Sequence, residues 1–399
     1  MKILQIHSRY REYGGEERVV ENDASLLRDA GHEVMTYEVP NPSSGFKAAA
    51  SLAASSWNLR QASRLRRMAR AWGPDVAHVH NLWFSLSPSV LRALGQEAVP
   101  IVMSVHNYRL VCASANLWRE GAPCRECVGS SFAVAGVRHG CYRGSRPLSA
   151  AVASSSAIEA TIVRNFPPGH IVVPSDSLKG VLVDGGFRED LFRVLPWTTT
   201  DPGARVIPPS ESSDVYIVGR LVPETKGIES LVSRWNSAKA AGLLGPLRLN
   251  LVGTGPLEGS ELITGQDVHR LGHLDRHELD RRLLSGRALI CPSLWEEPFG
   301  LSVIEAFAAG LPVLGSGQGA LPETIGLLSE DCLLPLDNDK AWAASLARLA
   351  DDVFVDRTGR LARGLFEADF SPEQGITRLE DLYREALHAP VSKQAGAFS

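Results

Sequence analysis

Residues 297–305 of this chain read Glu-Pro-Phe-Gly-Leu-Ser-Val-Ile-Glu, and this stretch decides how the second half of the chain is organised. The apolar run before it, residues 287–292, predicts a short buried strand that ends at a proline. From Leu301 to Ala309 apolar residues recur at helical spacing, and Gly310 followed by Leu-Pro ends the helix. Residues 299–301 therefore lie at a helix N-terminus, where free backbone N–H groups and the helix dipole favour a phosphate.

The two glutamates of this stretch bracket the turn into the helix. The backbone of Phe299, Gly300 and Leu301 would bind the phosphate, while Glu297 lies just before the helix and Glu305 lies inside it. Both carboxylates can then face one crevice, one binding sugar hydroxyls and the other ribose hydroxyls, with a diphosphate between them. The structural alternative is that Glu297 only stabilises the helix dipole and that Glu305 is a solvated helix residue.

Length and composition indicate a globular protein of two domains. At 399 residues the chain exceeds one ordinary core, so two domains of about 200 residues are expected. A hydrophobic content of 44% with 22% charged residues is typical of globular proteins, and a net charge of −4 argues against a dedicated nucleic-acid binder. The first seven residues predict a strand rather than a signal peptide, and no apolar stretch has the length of a membrane span. We expect a cytoplasmic protein with at most peripheral membrane contact.

Short β-branched runs alternate with amphipathic segments along nearly the whole chain, as in parallel sheets covered by helices on both faces. The predicted strands are residues 2–7, 33–38, 76–80, 100–106, 170–174 and 192–195, then 214–219, 247–252, 288–291, 313–315 and 332–334. The predicted helices include residues 17–30, 63–71, 149–165 and a last helix that starts near Ser371.

The strand pattern stops and restarts around a segment rich in Pro, Ser and Thr, which is the best candidate for a linker. We therefore predict an N-terminal Rossmann-like domain over residues 1–197, a linker over 198–213 and a C-terminal Rossmann-like domain over 214–370. A C-terminal helix and tail follow over residues 371–399. The predicted fold is α/β, with two parallel-sheet domains facing a central crevice.

Two further turns in the second half follow predicted strands. Residues 218–227 leave a strand and enter a helix, so Gly219, Arg220 and Lys226 lie at the end of the sheet where ligands bind in open α/β folds. The two cations could bind a diphosphate and stabilise it as a leaving group, or they could be ordinary surface cations.

The turn that contains Gly253 and Gly255 imitates a dinucleotide-binding pattern. Pro256, however, removes a backbone donor where a phosphate would need one, so we reject nicotinamide binding.

The first half carries weaker signals. Gly14 and Gly15 follow the first strand, and paired glycines allow positive φ and a close approach to a ligand, or simply form a mobile loop. His80 and His106 each end a predicted strand, a position that is more often structural than catalytic.

Four of the six cysteines lie close together in the sequence, namely Cys112, Cys124, Cys127 and Cys141. Their spacing is compatible with a structural zinc, with reduced thiols or with a disulfide.

Several of these strings resemble the retaining glycosyltransferases of family 4. The similarity covers the E-x7-E stretch at 297–305, the G-R-L…K-G stretch at 219–227, the G-x-G-P turn at 253–256, the N-terminal G-G loop and the V-H-N string that contains His106. It implies the two-domain GT-B fold, with the C-terminal helix packed back on the N-terminal domain. It also implies a nucleotide-sugar donor that is linked to UDP or GDP.

The resemblance assigns roles to the candidate residues. Arg220 and Lys226 would bind the diphosphate, Glu297 the donor sugar and Glu305 the ribose, while His106 would border the anomeric centre. The remaining donor-binding residues would be those of the glycine turns and the helix start, Gly14, Gly15, Gly219, Gly253, Gly255, Phe299, Gly300 and Leu301. The family's front-face route, in which the leaving phosphate deprotonates the acceptor, needs neither a cofactor nor a catalytic metal.

The four cysteines resemble an insert found in a bacterial subset of that family.

At family level the acceptor is expected to be a glycan or a lipid-linked glycan in surface polysaccharide synthesis, at the inner face of a membrane. A basic amphipathic stretch over residues 57–72 could meet anionic lipid or be a solvated helix face. The alternatives for function are a nucleotide-sugar epimerase of the same fold and a non-catalytic sugar-binding protein.

We interpret the Asp-Asn-Asp string at 337–339 as helix-cap chemistry and not as a metal motif.

Overall fold

The computed structural model describes residues 1–10, 13–41, 51, 54–165, 167–335 and 338–388. The chain forms two compact units. The first contains residues 1–117, residues 124–196 and the C-terminal part from Gly375, and the second contains residues 118–123 and 197–374.

The sheet of the first unit has six parallel strands in the order β2-β1-β3-β4-β7-β8. The strands of the first half of the chain are β1 (Lys2–Arg9), β2 (Glu33–Pro40), β3 (Val76–Val79), β4 (Ile101–Ser104), β5 (Trp118–Arg119), β6 (Ala122–Pro123), β7 (His170–Val173) and β8 (Phe192–Val194). Strands β5 and β6 form a separate antiparallel pair. The helices are α1 (Gly15–Asp29), α2 (Leu59–Trp72), α3 (Ser89–Gln96), α4 (Val134–Arg138), α5 (Arg146–Asn165) and α6 (Asp176–Asp184).

The sheet of the second unit is also parallel, in the order β11-β10-β9-β12-β13-β14. Its strands are β9 (Asp214–Val218), β10 (Arg248–Val252), β11 (Val268–Gly272), β12 (Ala288–Cys291), β13 (Val313–Ser316) and β14 (Leu333–Leu334). The helices are α7 (Ile228–Ala240), α8 (Arg276–Leu284), α9 (Leu301–Ala308), α10 (Leu321–Ile325), α11 (Asp339–Arg348), α12 (Asp352–Leu365) and α13 (Pro372–His388). Single turns of 3₁₀ helix occupy Glu189–Leu191, Pro209–Glu211, Glu261–Ile263 and Glu330–Cys332, and a π turn occupies Phe366–Phe370.

The last helix, α13, packs on the sheet of the first unit. Leu379, Leu382 and Tyr383 of α13 are buried against Ile3 and Val102 of β1 and β4. A hydrogen bond also joins this helix to the rest of the first unit, with His32 Nε2 lying 2.9 Å from a carboxylate oxygen of Glu380. The prediction that the C-terminal helix returns to the N-terminal domain is therefore confirmed.

The predicted α/β fold with two Rossmann-like parallel sheets is confirmed as well. The sequence pattern did not predict β11, because its residues are only partly buried or exposed and show no apolar run. At α11 the side chain of Asn338 accepts a hydrogen bond from the N–H of Ala341 at 3.0 Å, as the cap interpretation of this string expects, whereas position 337 lies outside the described residues. Among the described helices, none combines the length and apolar character needed to cross a membrane.

Candidate active site

The sheet of the second unit has a switch point between β9 and β12. The chain moves outward from β9 through β10 to β11, then crosses to β12 and moves outward in the other direction. In open α/β sheets ligands bind beyond the carboxyl ends of the two strands at such a point, because the loops that follow them diverge. The loop after β9 carries Arg220 and Lys226, and the loop after β12 carries Glu297. The fold thus brings two predicted site stretches to neighbouring strand ends.

These two loops meet through Lys226 and Glu297. The Nζ atom of Lys226 contacts the Glu297 carboxylate, and its ammonium lies 5.2 Å from the centre of the Trp295 ring. The Ser293 hydroxyl donates a hydrogen bond of 2.6 Å to the same carboxylate. Burial alone would raise the pKa of Glu297, whose side chain is 8% exposed, but Lys226 and Ser293 outweigh burial and hold the pKa below its ordinary value. Glu297 is therefore a buried carboxylate ion beside a cation.

Helix α9 begins at the predicted phosphate position. Gly300 is the residue before its first turn and has φ 102°, a conformation that favours glycine. Phe299 is buried beside it, and Leu301 opens the helix. A side chain at position 300 would not fit without a close contact, since an added Cβ would lie 2.9 Å from a methyl carbon of Leu321. The N–H groups of the first turn are thus held by a glycine-dependent bend.

Glu305 lies on α9 with its side chain 2% exposed, and it is not a solvated helix residue. A nitrogen of the Arg276 guanidinium lies 2.5 Å from its carboxylate oxygen. Arg276 is the first residue of α8, and its Nε also donates a hydrogen bond of 2.9 Å to Asp280. The sequence analysis did not single out Arg276, because 29 positions separate it from Glu305 and no local pattern links the two.

The remaining predicted residues of the second unit lie at the turns after β9 and β10. Arg220 and Gly219 are exposed at the end of β9. An added Cβ on Gly253 or Gly255 would overlap the backbone of the turn that follows β9. The N–H of Leu221 donates a hydrogen bond of 2.9 Å to the carbonyl oxygen of Thr254. These two glycines are therefore required for two loops to touch, whether or not a ligand is bound.

In the first unit, the predicted Gly14–Gly15 loop precedes α1. Gly14 has φ −142° and ψ −170°, so the expected positive φ is wrong at this position. The backbone here is extended, a conformation that any residue type can adopt. The loop is held instead by Glu17, whose carboxylate accepts hydrogen bonds from the N–H of Tyr10 at 2.8 Å and of Gly14 at 3.1 Å. Gly15 is the first residue of α1.

The two predicted histidines of the first unit belong to a buried group, here called the histidine column, formed by His78, His80 and His106. His78 and His80 have ring centroids 4.1 Å apart, and the rings of His80 and His106 are nearly parallel with their centroids 5.3 Å apart. The Nδ1 atom of His80 lies 3.1 Å from Nε2 of His106, and Nε2 of His80 lies 3.3 Å from the amide nitrogen of Gln5. The sequence predicted His80 and His106 as site residues but not His78 or Gln5.

Burial makes the histidine column electrically neutral. It lowers the pKa of His78 and of His106 to about 3, and it lowers the pKa of His80 well below the usual value, with the neighbouring histidines adding to the effect. Each ring therefore carries one proton at neutral pH, and which nitrogen bears it is decided by the hydrogen bonds.

A second polar group of the first unit surrounds Arg109. The guanidinium lies 5.4 Å from the ring centre of Trp83 and 5.7 Å from that of Tyr142. Burial raises the pKa of Glu16 to about 8 and that of Glu159 to about 7, while the charge of Arg109 lowers both. The only sequence signal for this group was the position of Arg109 just after the His106 string.

The four clustered cysteines are partly or fully buried, and all six cysteines of the chain are free thiols. Burial raises the pKa of Cys127 to about 11, and the other three thiols, Cys112, Cys124 and Cys141, act on it electrostatically. Across the described ranges no group of three or more His, Cys, Asp or Glu side chains is arranged to hold a metal ion. The structural zinc stays a prediction.

Two family models match the chain, one in each unit. The model described as Glycosyltransferase Family 4 matches residues 13–197, and the model described as Glycosyl transferases group 1 matches residues 212–352. A glycogen synthase of Mycobacterium tuberculosis is 28% identical over 339 residues, which cover 82% of this chain and 73% of that protein.

Solved structures show the same fold. Sucrose-phosphate synthase from Thermosynechococcus elongatus superposes with a TM-score of 0.69 at 19% identity, over 98% of this chain and 100% of that one. The Anabaena protein HepE, solved in complex with UDP-glucose, superposes with a TM-score of 0.66 at 15% identity, over 96% of this chain and 99% of that one. The likeness confirms the GT-B fold. The two matched models both describe glycosyltransferases, and together they span residues 13–197 and 212–352 of this chain.

Proposed function

We propose that this chain is a retaining glycosyltransferase, which moves a sugar from a UDP- or GDP-linked donor to a glycan or lipid-linked acceptor. The observation that supports the proposal most is the contact of Lys226 with Glu297 at the switch point of the second sheet. It gives one strand end a cation for a diphosphate and a buried carboxylate for a neutral polyol. The HepE complex with UDP-glucose lends support at the level of the fold.

On the donor side, Arg220 and Lys226 would take the diphosphate together with the first N–H groups of α9. Arg220 is exposed at the end of β9, and within the described residues its guanidinium has no ion pair with an acidic side chain, so its charge is available to an anion. Fixed cations and helix dipoles stabilise the charge that develops on a leaving diphosphate, and in this proposal they replace a metal ion.

The two carboxylates would orient the donor. Glu297 would accept hydrogen bonds from the sugar hydroxyls, since it is held as an anion by Lys226 and Ser293. Glu305, whose carboxylate pairs with Arg276, would accept from the ribose hydroxyls. A nucleotide would therefore share this carboxylate with Arg276 or displace it.

The chemical step would follow the front-face route. The bond between the anomeric carbon and the phosphate oxygen breaks, the acceptor oxygen bonds to the same face, and its proton passes to the leaving phosphate. Retention follows because the incoming and outgoing oxygens share one face of the sugar. His106 would hydrogen-bond the donor sugar during this step.

We further propose a role in bacterial surface polysaccharide synthesis, with peripheral contact to an anionic membrane. The solvent side of α2 supports the membrane contact, because Arg60, Arg64 and Arg67 are exposed there. Two other arginines of α2 are occupied within the protein, since Arg66 and Arg70 pair with the carboxylate of Glu97 at 2.5 and 2.9 Å.

The first test is a thermal-shift panel with UDP, GDP, ADP and their sugar conjugates, with and without a chelator. We expect one nucleotide to raise the melting temperature in the presence of chelator as well. Incubating the stabilising donor with and without a glycan acceptor then separates transfer from epimerisation, which needs no acceptor. A panel in which no nucleotide shifts the melting temperature would refute the proposed donor site.

A further inference from the structure

The histidine column has its protons placed by a hydrogen-bond chain that starts at Gln5. The amide nitrogen of Gln5 donates a hydrogen bond of 2.9 Å to the backbone carbonyl oxygen of Val20 on α1. A carbonyl oxygen only accepts, so this contact fixes which end of the Gln5 amide is the nitrogen. The same nitrogen lies 3.3 Å from Nε2 of His80. Because an amide nitrogen only donates, Nε2 of His80 is an acceptor and carries no proton.

The proton positions of the next two rings follow from that one. His80 is neutral, so its proton is on Nδ1, and this atom donates to Nε2 of His106 at 3.1 Å. Nε2 of His106 is then an acceptor. Since His106 is neutral as well, its proton is on Nδ1. The chain therefore runs in one direction, from the Gln5 amide through His80 to an Nδ1–H group on His106.

We propose that Gln5 and His80 are positioning residues that keep His106 in its Nδ1–H form, so that His106 donates a hydrogen bond to an oxygen of the donor sugar. This inference rests on the proposed function and adds to it the proton state of His106 and the residues that set it. A sugar hydroxyl oxygen can accept such a bond. The opposite tautomer would present a lone pair from the same ring position and would have to accept instead.

The place of the chain in the fold supports a role at a ligand. His80 and His106 follow β3 and β4, at the carboxyl ends of two neighbouring parallel strands. Gln5 lies on β1, the strand next to β3, and His78 on β3 is held separately by Tyr383 at 2.7 Å and Ser104 at 2.8 Å. The chain from Gln5 to His106 thus spans three adjacent strands and ends at the edge where ligands bind.

The first experiment reads the tautomers directly. Long-range ¹H–¹⁵N spectra of protein labelled at its eleven histidines distinguish the Nδ1–H from the Nε2–H form, and a His106→Gln sample identifies the signals of His106. We expect the Nδ1–H form for His80 and His106 in the wild type. An Nε2–H form at His106 would overturn the proposal.

Two substitutions of His80 form a matched pair. The side-chain amide nitrogen of asparagine occupies nearly the place of Nδ1 in histidine, so His80→Asn keeps a donor toward His106, while His80→Gln moves it away. We expect His106 to stay Nδ1–H in His80→Asn and to lose that preference in His80→Gln. If either His80 variant fails to fold, Gln5→Met takes its place. This substitution removes the donor at the start of the hydrogen-bond chain, so neither His80 nor His106 should keep a preferred tautomer.

Binding completes the test, with UDP-glucose and UDP as probes. We expect the Kd of His80→Gln for UDP-glucose to rise about five- to tenfold over the wild type, with that for UDP unchanged. His80→Asn should restore the affinity for UDP-glucose to within about twofold of the wild type. A changed tautomer with unchanged affinity for UDP-glucose would overturn the role toward the sugar. If the wild type binds no nucleotide sugar of the panel, the proposed function and that role fail together, and the spectra still decide the hydrogen-bond chain.

Discussion

Replacing Lys226 by alanine separates its role in binding a diphosphate from a merely structural one. Its ammonium sits between the Glu297 carboxylate and the Trp295 ring, and its side chain is 25% exposed. The cation is therefore reachable from solvent on one side and partly neutralised on the other. A diphosphate would approach the accessible side, and alanine would remove that contact without filling the space.

The expected loss follows from these surroundings. A charge-assisted hydrogen bond to a phosphate contributes about 1.5–3 kcal/mol. Because Glu297 already compensates part of the charge of Lys226, we take a value of about 2 kcal/mol. This corresponds to a rise of about 30-fold in the Kd for the nucleoside diphosphate. The Kd for the nucleoside alone should not change, since the nucleoside has no phosphate.

The assay is isothermal titration calorimetry with the diphosphate that the thermal-shift panel selects. Lys239→Ala is the matched control, because Lys239 lies on α7, two helical turns or more from Lys226, and pairs with Asp267 at 2.6 Å. Glu297→Gln gives the opposite test, since it frees the Lys226 ammonium and should leave diphosphate affinity unchanged or higher. A Kd for Lys226→Ala within twofold of the wild type would refute the reasoning, as would an equal loss in Lys239→Ala.

Three further perturbations test the second unit. Lys226→Met leaves the buried Glu297 carboxylate without its cation, so burial then raises the pKa of Glu297. We expect a loss of about 2 kcal/mol in unfolding free energy at pH 7 that shrinks at pH 5, where protonation relieves the charge. Arg276→Met should cost about 3 kcal/mol, because the Glu305 carboxylate is 2% exposed and loses its cation. Gly253→Ala should lower the melting temperature and abolish donor binding, since its Cβ would overlap the backbone of the neighbouring turn. Chemical denaturation measures the two free energies of unfolding, thermal denaturation measures the melting temperature, and calorimetric titration measures donor binding.

Each of these expectations has a control. Adding Glu297→Gln to Lys226→Met, or Glu305→Gln to Arg276→Met, removes the stranded charge and should recover most of the lost stability. A loss for Lys226→Met that is equal at pH 7 and pH 5 would contradict the charge argument, because wild-type Glu297 stays ionised down to below its ordinary pKa. Gly259→Ala is the control for the glycine turn, since an added Cβ meets no atom there. Equal melting temperatures for the two glycine variants would contradict the packing argument.

The fold was predictable because buried parallel strands and the turns that follow them have recognisable local sequence patterns. Buried strands such as β9 and β12 appear as short apolar runs, and each is followed by glycine or proline where the chain turns. The pattern in residues 297–305 was sufficient to predict the start of α9, with Glu297 before the helix and Glu305 inside it. Edge strand β11 shows no such pattern, because none of its residues is fully buried.

The partners of the site residues were not predictable, because they come from distant parts of the sequence. Lys226 and Glu297 are 71 positions apart, and they meet only because β9 and β12 are neighbours in the sheet. The sequence suggested His80 and His106 separately, but a proton chain between them depends on ring orientation and on the amide of Gln5. Gly14 shows the converse, since a glycine pair suggested special backbone geometry where the chain is simply extended.

The return of α13 to the first unit has a consequence for how the protein is made. Tyr383 closes a hydrogen bond of 2.7 Å to His78 across 305 positions of the chain, and its helix covers part of the first sheet. During synthesis domains usually fold in the order in which they emerge from the ribosome. Here the unit that is translated first is completed by a helix that is translated after the second unit. The second unit can finish folding before this helix is made. A premature stop codon ahead of α13 would therefore damage the first unit, although that unit is encoded far upstream of the stop.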